Sequence, residues 1–293
     1  DYPSSLRARS AANAAVRTAV GELYLRLAKR APDERGKAQD EREAKRAFGE
    51  IVEFSPADPV ARRRLGDLYR AHGYFDEAAR QYQTLAELLP DDPTAQLLLA
   101  MCANGTGRLE EAVRLTEQGG QAAAPDALQG PHATARALAT AFLSWGRQEA
   151  RAAGKADELA TLRARQDRIL GAKGTERAKG NVRVLLTWAH PEFHPALWTN
   201  ALGASMPASE GDATLGILQA LAPSSRPTEV EVRIEQADLS RVARLGQKAK
   251  ITAIFEAGTD AERSVTREVA FTPGGRPTVK LAIAAGEITE VSK

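Results

Sequence analysis

PVARRRLGDLYRAHGYFDEAARQYQTLAELLPDD, residues 59–92, holds two short amphipathic segments separated by a glycine. Leu65, Gly66 and Tyr69 share one face of the first segment, and Ala78, Tyr82 and Leu85 share one face of the second. Spacings of three and four residues are those of a helix with one buried stripe. Gly73 stands where the chain must reverse, and Pro90 stands where the second helix must stop. A helix pair this small cannot bury its apolar faces alone, so other helices must stack on it.

The pattern recurs on both sides. Val20, Gly21 and Tyr24 precede Leu65, Gly66 and Tyr69 by 45 residues, whereas Ala44, Phe48, Ile51 and Pro56 precede Ala78, Tyr82, Leu85 and Pro90 by 34. The first unit therefore carries about 11 extra residues between its helices, within RAPDERGKAQDER, as longer helices or as a protruding loop. Ala100, Gly107 and Ala112 follow Gly66, Gly73 and Ala78 by 34 residues each. Gly119 and Gly120 close that third unit, and QAAAPDALQG reads as a connector. These landmarks resemble the tetratricopeptide repeat, a 34-residue helix–turn–helix unit. Two further amphipathic segments lack the landmarks, HATARALATAFLSWGRQEARAAG and ADELATLRARQDRIL, and read as a helical cap over the open end of the stack.

Near Gly171 the hydrophobic period drops from 3.6 to 2. Val182, Val184, Leu186 and Trp188 alternate, as do Val230, Val232 and Ile234, then Ile251, Ala253 and Phe255, and then Val279, Leu281 and Ile283. Together with SVTREVAF, and with weaker runs at LWTNALG and ATLGILQA, they predict an antiparallel β-sandwich. GTDAE between two alternating runs predicts a hairpin. The expected organisation is a multi-domain α plus all-β chain. Residues 10–172 form a tetratricopeptide-type solenoid with capping helices, 173–180 a linker, and 181–293 a β-sandwich.

VRVLLTW (182–188), LW (197–198) and the run DLSRVARLGQKAKITAIFEAGT are similar to a β-domain of secreted bacterial proteins that often follows tetratricopeptide repeats or a von Willebrand A module. That family carries several Asp residues after its first Trp, where this chain has AHPEFHPA. The resemblance implies a bacterial protein of the periplasm or cell surface, with the cytoplasm as the alternative. The chain starts at Asp1 without Met, so a signal, anchor or further domain upstream is an open expectation.

The tetratricopeptide resemblance implies a concave wall built from the first helix of each pair, receiving a protein or peptide. On this chain that wall maps to Arg26, then Arg63, Asp67 and Arg70, then Thr94, Leu97, Met101 and Asn104. Arg63 and Arg70 lie two helical turns apart, so both guanidinium groups can address one carboxylate; the plainer alternative pairs them with Asp67.

Other chemistry finds little support. A net charge of +2 and 5% aromatic residues argue against a nucleic-acid partner. No apolar run reaches the roughly 18 residues of a membrane helix. The one cysteine, Cys102, sits in the apolar run LLLAMCA and reads as a buried, inert thiol. His190, Glu192 and His194 form the one metal-like spacing, but Pro191 and Pro195 interrupt the strand that would align them. With no nucleophile, P-loop or dinucleotide motif, the expected function is a non-enzymatic interaction scaffold without cofactor. The rival is a metal- or carbohydrate-binding β-module carried on a helical spacer.

Overall fold

The structure is a computed structural model, and it describes residues 4–53, 55–120, 130–201, 204–208, 210–223, 227–272, 274–284 and 286–291. By internal contacts the chain divides into two compact units, Asp1–Ala95 and Gln96–Lys293. The hydrophobic period changes at 171–181, but the contacts divide earlier. The helical cap and the strands therefore belong to one unit.

The first unit contains α1 (Ser4–Ala28), α2 (Glu34–Gly49), α3 (Pro59–Ala71) and α4 (Phe75–Leu88), with α1 packed on α2 and α3 on α4. The insertion in the first pair is absorbed by length: α1 has 25 residues and α2 has 16, with only residues 29–33 between them. Side chains cap the starts. Asp33 accepts from the Gly36 amide at 2.7 Å, and Asp58 accepts from the Val60 amide at 2.9 Å, ahead of Pro59 in the first turn. Gly73 turns the chain from α3 into α4 with φ +80°, and Gly107, 34 residues later, does the same with φ +77°. The recurring glycine is thus a left-handed backbone position.

Apolar stripes close the unit. Leu65, Leu68, Ala78, Tyr82 and Leu85 are buried between α3 and α4, as are Ala44, Ala47 and Phe48 on α2. Phe48 meets Tyr69 edge-on, with centroids 6.2 Å apart, and stacks on His72 at 5.6 Å. His72, which follows α3, is therefore half-buried against a ring.

The second unit holds α5 (Thr94–Gly105, whose first two residues fall in the first unit), α6 (Leu109–Gly120), α7 (Gly130–Ala152) and α8 (Ala156–Ala178). Of the connector expected at 121–130, residues 121–129 lie outside the described residues and Gly130 opens α7. α7 packs between α6 and α8, and Gly146 lets Leu109 approach so closely that an added Cβ would lie 2.4 Å from its Cδ2. The helix α8 runs through most of the stretch read as a linker, broken only at Gly171 (φ 64°, ψ 172°).

Ten strands follow among the described residues: β1 (Asn181–Thr187), β2 (Ala196–Ala201), β3 (Ala204–Pro207), β4 (Glu210–Asp212), β5 (Ile217–Pro223), β6 (Thr228–Arg233), β7 (Lys248–Phe255), β8 (Arg263–Ala270), β9 (Thr278–Ala284) and β10 (Glu287–Glu290). They form two antiparallel five-stranded sheets, β4-β5-β1-β7-β8 and β10-β9-β6-β2-β3. The expected hairpin joins β7 to β8 in the register Phe255↔Arg263. A short helix, α9 (Leu239–Leu245), crosses from one sheet to the other; the alternation pattern does not announce it.

The alternating residues face one another across the sandwich. Val182, Val184 and Leu186 from one sheet, and Val230, Val232 and Leu281 from the other, are all buried. Leu185, Thr252 and Ile254 point the opposite way and are buried as well. Strict alternation predicts a wet outer face there, but α8 lies on β1, and α7 lies on β4 and β8. The strand β1 is thus covered on both sides, like a strand of a layered α/β fold.

On the other sheet, Glu231 of β6 accepts from Arg233 and pairs with Lys280 of β9 at 2.9 Å. Burial pushes its carboxyl upward, but the bonds and charges of Lys280 and Arg233 outweigh this and hold it below the ordinary 4.5. A lowered folded-state value means the unfolded chain takes up a proton first. The stability from this group is therefore full above about pH 4.5 and is lost as pH falls through the folded value. The stability gap between the native chain and Glu231→Gln, measured by urea unfolding, is expected to shrink steadily below pH 4.5. A gap independent of pH would refute the assignment.

Candidate functional site

The first helix, α1, has two apolar faces. Ala14, Thr18, Gly21 and Ala28 are buried, and Gly21 sits so near Phe48 of α2 that an added Cβ would lie 2.3 Å from the ring. On the other side Val16, Leu23 and Leu27 stand 58%, 49% and 43% exposed. Spacings of seven and four residues put these three on one stripe. Arg26, Lys29 and Arg30 are exposed around its C-terminal end. The landmark pattern at Val20, Gly21 and Tyr24 marks the packed side of α1 and is silent about this stripe.

The structure does bring Arg63, Asp67 and Arg70 of α3 together. The Arg63 Nε donates to Asp67 Oδ2 at 2.7 Å, and the Tyr82 hydroxyl of α4 donates to Asp67 Oδ1 at 2.7 Å. Arg70 reaches the same Asp67 oxygen at 3.5 Å, and its Nε donates to the Tyr82 hydroxyl at 3.3 Å. Arg70 and Asp67 are largely buried, and Arg63 keeps about a fifth of its side chain in solvent. A single carboxylate thus already opposes both guanidinium groups, and an incoming carboxylate has to compete with it. The cluster also fixes Tyr82, whose ring fills the space that Gly66 leaves.

On the back of the pair, Lys45 of α2 binds Glu77 of α4 at 2.5 Å and lies 4.2 Å from the Tyr74 ring centre. Burial pushes the Glu77 carboxyl upward, yet the Lys45 bond and charge bring it below its ordinary value. The Tyr69 hydroxyl donates to the Lys45 carbonyl at 3.0 Å; burial, with the Glu77 charge, raises its pKa to about 12.

The α5 positions behave differently from one another. Leu97 is fully buried, so it serves packing and does not present a surface to a partner; its apolar run LLLAMCA is hydrophobic on nearly every side and sequence alone could not orient it. Thr94, Met101 and Asn104 are partly exposed, and Cys102 is a buried cysteine outside any disulfide. His190, Glu192 and His194 do not gather their donor atoms at one point. His190 is buried with its Nδ1 accepting the Glu192 amide at 3.1 Å, and His194 is exposed, as the flanking prolines suggest.

The second unit contains a polar centre that sequence reasoning missed. Glu262, at the end of the β7–β8 loop, accepts from Ser144 Oγ (2.9 Å), from Arg147 Nη1 (2.8 Å) and from the Gly258 amide (2.6 Å). Arg147 of α7 also donates to Gln166 of α8 at 2.5 Å and to the Thr259 carbonyl at 2.9 Å. Arg147 and Glu262 are each only 3% exposed. Burial pushes the Arg147 guanidinium down, Glu262 opposes this, and neighbouring Arg151 and Arg163 add to the lowering.

Residues 63–127 match the tetratricopeptide repeat family, a span running from α3 through α6 and under a quarter of the chain. No curated protein matches the sequence. Repeats of this family are typically non-catalytic modules that bind protein partners.

Proposed function

We propose that the protein is a non-enzymatic interaction scaffold, and that the exposed stripe of α1 receives an amphipathic segment of a partner protein. The observation that carries this reading is the row Val16, Leu23 and Leu27, left in solvent on a helix that buries Ala14, Thr18, Gly21 and Ala28. Apolar side chains aligned along a helix and rimmed by charge are the ordinary anatomy of a helix-receiving surface. Arg26, Lys29 and Arg30 favour a partner with acidic residues beside its apolar ones. Arg63 on α3, and Thr94, Met101 and Asn104 on α5, keep partial exposure, each on its own element. The likeness of residues 182–188 and 197–198 to a module of secreted bacterial proteins supports a place in a cell-envelope or surface assembly.

The test compares the full chain with Leu23→Glu/Leu27→Glu as bait in chemical cross-linking within the native organism. The double variant replaces two exposed side chains, so its thermal midpoint is expected to stay within a degree or two of the parent. The cross-linked partner is expected to disappear. Recovery of the same partner at the same yield sinks the proposal.

A further inference from the structure

Beside the buried Arg147–Glu262 pair, and wholly within the second unit, lies a cleft of about 400 Å³. Its walls come from α7 (Ser144, Arg147, Gln148, Arg151), from the start of β8 (Glu262, Arg263, Ser264) and from Gly286. Three guanidinium groups therefore face one carboxylate. Glu262 is already saturated by Arg147, Ser144 and the Gly258 amide. Among the described residues Arg151 bonds only the Glu262 carbonyl, at 2.9 Å, which neutralises no charge. Arg263 lies over the Phe255 ring at 5.6 Å, with its guanidinium beside Gly286. Arg147, 3% exposed, has a buried Nε with no hydrogen-bond partner among the described residues. A buried donor left unmatched is costly, and here it lies in a residue that lines the cleft.

We propose that this cleft binds a small oxyanion ligand, a molecule carrying a phosphate or carboxylate group, held by Arg151 and Arg263. Guanidinium groups are suited to such groups because their planar N–H fork matches two oxygens at once. The volume falls in the range of small-molecule sites and admits a phosphate ester or a di- or tricarboxylate. The binding residues belong to the second unit and none is on α1, so this site does not depend on the scaffold reading.

The experiment titrates the full chain with inorganic phosphate and with citrate, against sodium chloride at matched ionic strength, by calorimetry and thermal shift. A saturable response to phosphate or citrate and none to chloride is expected. Arg151→Gln and Arg263→Gln are each expected to weaken Kd about tenfold or more, with folding checked by circular dichroism in chloride. On the native chain, arginine modification by phenylglyoxal, mapped by mass spectrometry, is expected to spare Arg151 and Arg263 when the anion is present; this arm holds even where a variant fails to fold. No saturable response to either anion overturns the proposal. So does a Kd unchanged in both variants, or modification of the two arginines unaffected by the anion.

Discussion

Glu262→Ala is expected to destabilise the Gln96–Lys293 unit by about 3–5 kcal/mol, the cost of removing one partner from a buried ion pair. The carboxylate of Glu262 answers three donors, and without it the Arg147 guanidinium stays buried against only Gln166 and the Thr259 carbonyl. Glu262→Gln keeps the shape and loses the charge, so a large share of the penalty remains. Urea unfolding followed by the near-ultraviolet signal of the second unit measures the loss, with a drop in Tm of roughly 10 °C for a unit of this size. An apolar double replacement, Arg147→Met/Glu262→Leu, is expected to recover much of the stability, because pair and solvation costs vanish together. If Glu262→Ala costs under about 1 kcal/mol, the network is not structural.

The second large effect is expected at Gly66. An added Cβ would lie 2.4 Å from Tyr82 Cε1 and 2.9 Å from Cδ1, well inside van der Waals contact. Tyr82 cannot step aside, since its ring is fully buried and its hydroxyl is tied to Asp67. Gly66→Ala is therefore expected at the upper end of overpacking costs, about 3 kcal/mol, or roughly 10–20 °C in Tm for a domain of about 95 residues. Gly73→Ala is the control. Nothing lies within 4 Å of its added Cβ, so only the left-handed backbone is penalised, about 1 kcal/mol. Thermal unfolding of the two variants ranks them, and equal losses would contradict the packing account.

What could be read in advance follows from how local each signal is. Gly66, Gly73, Tyr82 and Pro90 lie within one 34-residue unit, and their spacing alone announced a helix pair. Strand alternation at Val182, Val184 and Leu186 was equally plain, since a period of two needs no distant partner. Glu262 shows the opposite case. In sequence it is one acid in GTDAE, and its partners Ser144 and Arg147 lie 118 and 115 residues away. No spacing rule reaches that far. For the same reason Leu185 and Ile254 read as outward-facing residues, because nothing nearby in sequence says that helices cover that sheet. On α3 the arginine spacing was legible, but their shared claim on Asp67 depended on where the Tyr82 hydroxyl of the next helix would land.

The long span between Arg147 and Glu262 bears on synthesis. A ribosome adding about 5–20 residues per second delivers the counter-ion roughly 6–23 s after the arginine. Throughout that interval α7 carries a charge destined for the interior without the carboxylate it pairs with. A nascent chain stalled before residue 262 should therefore remain protease-sensitive across α7 and α8, and one released past it should close over them.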